Sequence, residues 1–419
     1  MKNIYIDVDA PSGGGGTGQG GQWTRPADWL VLPTLVEGEQ KVVGLHAVYG
    51  DSDFCAILCA GNYHVDWGDG TVVDVAANTK TEHKFNYDAL IGTETSEGFR
   101  QAIVTITPQA GQTLTIIDFQ QKHSQVGLPP YKGEWLDISV VGASISTCKI
   151  GGGNITQSAL KNVSFVGTLS VTDFSYFFQN CYSLVSFSGL NTSLGTTFKY
   201  MFSSCMSLQS VSGLDTSLGT EFYSMFFNCY SLQNISGLDT SSGTNFGYMF
   251  YYCYSLHLIT GLDTSLGTNF SYMFYSCWSL NNISILNTSL GTNFSYMFNN
   301  CVCLVSISGL NTSLGTNFSS MFYGCVTLHS ISGLTISAAA MTTQMFANCH
   351  SLKCINSCVF SETFSIAYCM LSAAELEEVF TNLATVTAET ITITGNWGAQ
   401  YLTQVQKDIA INKGWTIVI

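Results

Sequence analysis

The feature that most narrows the fold is an internal repeat. Cysteine stands at 181, 205, 229, 253, 277, 301, 325 and 349, an unvarying 24-residue step. Phe202, Phe226, Phe250 and Phe274 keep that step beside Cys205, Cys229, Cys253 and Cys277, and so do Leu208, Leu232, Leu256 and Leu280. The unit reads approximately TSLGTNFSYMFxxCxSLxxISGLx. A fixed period of this length specifies a solenoid: one unit cannot bury its apolar face alone, whereas stacked units share a continuous core. These Phe, Cys and Leu columns are the expected repeat core.

Two periodicities follow one another inside a unit. Phe198, Met201, Phe202, Cys205 and Leu208 recur at the spacing of one helix face. The next stretch, to Leu214, is short and contains β-branched Val211, which suits a parallel strand. NTSLGT or DTSLGT then supplies turn residues. The expected fold is therefore a leucine-rich-repeat-like solenoid whose coils each hold a short helix and a short parallel strand. The Leu column extends back to Leu160 and Leu136, so 136–180 reads as degenerate first coils and 181–358 as the regular array.

The flanks differ. Residues 359–419 read as an α/β cap: a helix over Leu371–Leu383 opened by a Ser372/Glu375 capping box, a strand at Thr390–Thr394, a helix near Thr403–Asn412 and a last strand, Trp415–Ile419. Residues 1–22 read as a short strand, Asn3–Asp9, and a Gly-rich linker that would attach the chain to something else. Between them, 23–135 reads as a small β-sandwich, with NYHVDWGDGT alternating before a turn at Gly68-Asp69-Gly70 and QAIVTIT as a further strand.

Charge excludes several classes. The chain has 14 Lys plus Arg against 28 Asp plus Glu, a net −14, yet only 10% of it is charged. An ordinary soluble protein has about 25%. The acidic balance argues against a nucleic-acid binder, which needs a basic stripe. No apolar run is long enough to span a membrane, and MKNIYIDVDAPSGGGG lacks the apolar segment of a secretory signal. The deficit is concentrated in the repeats, where Lys199, Asp215, Glu221, Asp239 and Asp263 are the charged residues between Leu184 and Leu352.

That scarcity also removes the raw material of catalysis. No charged residue lies between Asp263 and Lys353, so paired carboxylates of the glycosidase kind have no place in the later coils. GxSxG, HExxH and P-loop motifs are missing, and the seven His form no motif. The expectation is a non-enzymatic protein without cofactor or metal. One Cys per coil suits a buried ladder of small apolar side chains, and Cys55/Cys59 has no second pair with which to hold zinc. Asn191, Asp215, Asp239, Asp263, Asn287 and Asn311 read as caps of their own turns, a bound cation being the alternative. Asp66, Asp69 and Asp74 crowd one hairpin and read the same way.

The variable columns carry the functional expectation. Tyr182, Tyr230, Tyr254 and Trp278 form one, and Phe227, Tyr251, Tyr275 and Tyr323 a second. Gln209, Gln233, His257, Asn281 and His329 form a polar column nearby. Exposed aromatic patches mark interaction surfaces. Rings interspersed with amides suit a sugar or a partner protein.

The MFxxCxSL core and TSLGT turn resemble the BspA-like leucine-rich repeats of surface proteins. VDWGDGT, with His83-Lys84-Phe85 and the AIVTIT strand, resembles a PKD-type immunoglobulin-like module. The tail, from LSAAELEEVFTNL to KGWTIVI, resembles the cap that follows such repeats. Similar chains without an export signal or anchor occur among tailed-phage virion proteins, assembled in the host cytoplasm and released by lysis. The resemblance implies a virion structural protein, either a tail fibre or a capsid decoration of the head-fibre type. Its N-terminal segment would join other virion proteins, its solenoid would face host glycan or protein, and copies would form a homo-oligomer such as a trimer. A bacterial cell-surface adhesin is the alternative.

Overall fold

The computed structural model describes residues 23–419, apart from 52, 125–131, 154, 258, 282, 284–285 and 338–339. The strand and linker expected over 1–22 lie outside the described residues.

Strand Lys41–Val48 (KVVGLHAV) is buried at nearly every residue instead of every second one. Both of its faces are covered. Val42 and Val48 point into the main core, while Val43, Leu45 and Ala47 pack on the opposite face with Trp29, Leu35, Phe99 and Leu136. Lys41–Val48 lies within a seven-stranded sheet, opposed by a four-stranded sheet ordered Thr147–Lys149, Ile116–Asp118, Phe54–Ala60 and Thr79–Lys84.

The larger sheet belongs to both parts of the molecule. Trp135–Val141 pairs antiparallel with Lys41–Val48 on one side and parallel with Asn162–Val166 on the other. Asn162–Val166 in turn pairs with Ser186–Ser188 of the next coil. The boundary expected between 135 and 136 therefore falls inside a strand. Cross-strand bonds reinforce the join: Asn162 Nδ2 donates to Asp137 Oδ1 at 3.0 Å, and the Ser139 and Ser164 hydroxyls lie 2.6 Å apart. One apolar cluster runs unbroken from Val42 to Trp415.

The backward extension of the Leu column needs correcting at its first member. Val163 pairs with Phe187, one full repeat on, but with Ile138, which lies a repeat plus one position back. Carried to the strand start, that offset puts Trp135, not Leu136, opposite Leu160. Leu136 is the extra residue of a bulge, because Leu45 faces Asp137 and His46 faces Trp135. A one-residue slip sends a side chain to the other face, so Trp135 joins the main core and Leu136 joins Trp29 and Phe99.

The coils themselves contain no helix among the described residues from Phe174 to His350, contrary to the expected short helix. The stretch from Phe198 to Leu208 is a chain of tight turns. Met201 N donates to Phe198 O, Ser203 N to Tyr200 O and Cys205 N to Phe202 O. The amides between them serve the next coil: Phe198, Tyr200, Phe202 and Ser204 donate to the carbonyls of Glu221, Tyr223, Met225 and Phe227. A helix would take those amides for i→i−4 bonds. Pairing between coils wins because it satisfies the same donors and stacks the apolar columns as well. The cost is left-handed backbone at Tyr200 (φ 58) and Ser204 (φ 64), and at their repeats.

Parallel bridges join Thr197, Glu221, Asn245, Asn269, Asn293, Asn317 and Met341 in turn. The expected strand column is present at the ends of the array, with Ile307 paired to Ile331 and Ile331 to Ile355. Inside, Phe202, Phe226, Phe250 and Phe274 are fully buried and stack face to face, for example at 5.5 Å and 3° between Phe202 and Phe226. Cys205, Cys229, Cys253, Cys277 and Leu208, Leu232, Leu256, Leu280 are equally buried. Burying each Phe or Leu contributes about 1.5–3 kcal/mol. The glycine of TSLGT is needed for space: a Cβ on Gly219 would lie 2.8 Å from the rings of Phe198 and Phe222.

The array closes on a different architecture. Helix Ala373–Asn382 is capped by Ser372, whose side chain accepts from Glu375 N while the Glu375 carboxylate accepts from Ser372 N. Leu376, Val379 and Phe380 face the core. Strands Phe364–Ser365, Glu389–Thr392 and Trp415–Val418 form a parallel sheet, with helix Gln404–Ile411 before the last strand.

Candidate interaction surface

One of the left-handed turn positions carries a column of half-buried tyrosines. Tyr200, Tyr248, Tyr272 and Tyr296 occupy one such turn position, with φ 57–58. A tyrosine there is strained by about 1–2 kcal/mol. Ring stacking offsets it: Tyr248 and Tyr272 lie 4.4 Å apart at 12°, and Tyr272 and Tyr296 lie 4.4 Å apart at 7°. Such pairs contribute about 0.5–1.5 kcal/mol beyond area. Ser224 interrupts the column, and Tyr223 fills the gap, 5.5 Å from Tyr200 and 5.4 Å from Tyr248.

The two expected aromatic columns lie beside this one. Phe227, Tyr251 and Tyr275 stack at 4.7 and 4.6 Å, and Tyr230, Tyr254 and Trp278 at 5.0 and 4.2 Å. Tyr252 links them, 4.3 Å from Tyr251 and 5.6 Å from Tyr254. Tyr248 to Tyr251, at 5.5 Å, completes a continuous sheet of rings. Trp278 is 47% exposed and the tyrosines are half-buried. Tyr182 and Tyr323 are half-buried outliers, set apart in their columns by Met206 and Asn299. Gln209, Gln233, His257, Asn281 and His329 are all exposed.

Sequence reasoning missed Tyr200, Tyr223, Tyr248, Tyr252, Tyr272 and Tyr296. The SYMF step was visible, but a helix would have placed those rings on a flank instead of in a ladder.

The surface is electrically quiet. Burial raises the phenols of Tyr223, Tyr254 and Tyr272 to about 12, with neighbouring tyrosines adding to it, and Tyr251 is raised further. These four phenols therefore stay neutral at any ordinary pH.

Other columns are structural. Asp215, Asp239 and Asp263 Oδ1 accept the amides of Ser217, Ser241 and Ser265, and Asn191, Asn287 and Asn311 cap the same way. Bonds from Ser217 and Ser241 hold the Asp215 and Asp239 carboxyls below the usual range. The Thr beside each faces inward, as Thr216 Oγ1 does in donating to Asp239 O at 2.7 Å. Each ladder Cys is a free thiol whose pKa burial drives up. Asp66, Asp69 and Asp74 have separate partners: Gly68 N, then His83 with Asn86 N, then His64. His83 also stacks on Trp67. Among the described residues no three His, Cys, Asp or Glu converge as a metal site.

Residues 153–259 and 255–357, together just under half of the chain, match the family described as a Mycoplasma protein of unknown function, DUF285. No curated protein matches. Among solved structures, a leucine-rich repeat protein from Bacteroides ovatus is similar over 75% of this chain and 97% of its own, at 15% identity and a TM-score of 0.31. The plant peptide hormone receptor RGFR1, solved with RGF2, is similar over 60% of this chain and 41% of its own, at 12% identity and a TM-score of 0.26. The coils themselves carry the fold assignment: this is a leucine-rich-repeat-like solenoid with little helix.

Proposed function

We propose that the chain is a non-enzymatic adhesion protein that binds its target through the ring sheet centred on Tyr251, Tyr254 and Trp278. The observation that carries this reading is the continuity of that sheet across several coils. A flat neutral face with phenol hydroxyls suits a glycan, whose C–H face stacks while its hydroxyls bond. A glycan array compared between the intact chain and Tyr254→Ala/Trp278→Ala tests it. Loss of the bound spots is the expected result, and an unchanged pattern counts against the ring sheet.

The carrier we propose is a tailed-phage virion, as a tail fibre or capsid decoration, with copies assembled as a homo-oligomer. The likeness of the repeats and cap to such virion chains supports it. Mass spectrometry of purified particles that lacks this chain would sink the virion reading. The match to a Mycoplasma family favours a second reading, a cell-surface adhesin, which predicts the chain in envelope fractions instead.

A further inference from the structure

The tyrosine ladder has a first rung, and a cleft stands in front of it. Inside the ladder a ring is covered on both faces, as Tyr272 is by Tyr248 and Tyr296 at 4.4 Å each. Tyr176 is the first tyrosine in left-handed backbone, and Tyr200 stacks on one of its faces at 4.9 Å and 8°. One period before Tyr176 the chain has Gly152. Gly152 packs against Tyr176, where an added Cβ would lie 3.2 Å from the Tyr176 Cβ. This neighbour therefore brings no side chain to cover the second face, and Tyr176 is 38% exposed.

An open cleft of about 400 Å³ occupies that space, within the range of small-molecule sites, roughly 300–1,000 Å³. Tyr176 lines it and Tyr200 does not, which puts the cleft on the uncovered side of the ring. Gln120, Lys149, Gly153, Ser175 and Gln179 complete the lining. The Gln120 amide is held in place by donating to the Gly151 carbonyl. The Lys149 ammonium lies 3.8 Å from the Asp118 carboxylate, so its charge is answered within the protein. What remains for a ligand is one ring face, two amides and a hydroxyl, beside open solvent. A neutral sugar uses all of these: its C–H face lies on the phenol, and its hydroxyls reach amides on one side and water on the other. A planar aromatic would use the ring face and none of the amides.

We infer that this cleft is a subsite for one neutral pyranose, stacked on the free face of Tyr176. From it Tyr200, Tyr223, Tyr248 and Tyr251 form an unbroken track of ring contacts into the ring sheet. The inference rests on the reading of the chain as a glycan binder and narrows it to a neutral sugar. It also gives the glycan a direction: the chain lies along the coils, and its end stops against Gln120 and Lys149.

Saturation-transfer NMR titration of the intact protein with the methyl glycosides of glucose, galactose and N-acetylglucosamine is the test. Methyl glucuronide serves as the acidic control and phenol as the planar one. Saturable binding of at least one neutral glycoside is expected, about 10-fold weaker in Tyr176→Gly and within about 2-fold in Tyr176→Phe. Gln179→Ala is expected to weaken it about 3-fold. Tyr176→Gly removes the ring at φ 62, where glycine is unstrained, so its loss of binding is not a loss of fold. Absence of binding by all three neutral glycosides, equal or tighter binding of methyl glucuronide or phenol, or unchanged affinity in Tyr176→Gly would each overturn the inference. Tyr254→Ala/Trp278→Ala leaves this cleft intact. Glycoside titration of that variant therefore separates a failure of the ring sheet from a failure of the cleft.

Discussion

The Sγ of Cys229 donates to the carbonyl oxygen of Phe202, one coil back, at 3.1 Å. The same oxygen accepts the Cys205 amide in its own turn at 2.9 Å, so both of its lone pairs are used. The thiol contact recurs in every coil from Cys205 to Cys349. Alanine or valine at this position would fill space but leave the carbonyl with one partner.

Cys229→Ala is therefore expected to destabilise the array by about 1–2 kcal/mol, through a lost weak donor and a small void. Denaturant unfolding checks it. An unchanged midpoint would mean that the thiol contributes only bulk.

Thiol labelling should separate two populations. Cys303 is exposed, whereas burial raises the pKa of Cys205, Cys253 and Cys325 and keeps water and reagent away. Cys303 is expected to react first in the native protein, with the ladder silent until denaturant is added.

Gly219→Ala tests the contact between turn and core. The added methyl meets two phenylalanine rings at 2.8 Å, and overpacking of this kind costs about 1–3 kcal/mol. Gly213→Ala is a useful contrast: its new Cβ has open space, and its cost comes from φ +75 alone.

Acid should loosen the N-terminal module through His46. Burial pushes its pKa down to about 3, while the unfolded side chain keeps its ordinary value of 6.5. Below pH 6.5 the unfolded chain takes up a proton that the folded one refuses, so stability present above 6.5 is lost as pH falls towards 3. His46→Phe, which keeps the ring beside Phe85 and Trp135, is expected to flatten that part of the thermal-midpoint curve. Identical curves would assign the acid effect to other groups.

Binding at the ring sheet should ignore salt. Burial raises Tyr254 and Tyr272 to about 12, so those two phenols stay neutral through the ordinary pH range. Affinity for the bound glycan is expected to change by less than about 2-fold between low and high ionic strength, where a charge-driven site would weaken steeply. A steep salt dependence would move the contact away from these rings.

The repeat period, the buried columns and the Ser372 cap were legible because each rests on spacing alone. The path of the coil was not. Phe198, Met201 and Phe202 have helical spacing, yet the amides between them bond to the next coil, a partner nearly a full repeat away that local periodicity does not register. Tyr248 and Tyr272 were overlooked for the same reason, since only a left-handed turn aims them outward. Thr216 looked like a turn former but is buried, its hydroxyl spent on Asp239 O. Leu136 kept the repeat step on paper and lost it to a bulge.

The strand Trp135–Val141 is hydrogen-bonded along both edges, which gives the molecule a mechanical character. A base and a rod joined by a loose tether would search space independently. Here no swivel separates them, so a pull on Trp278 is carried through stacked coils into Lys41–Val48 as load on backbone hydrogen bonds. Whatever holds the base also sets the bearing of the ring sheet.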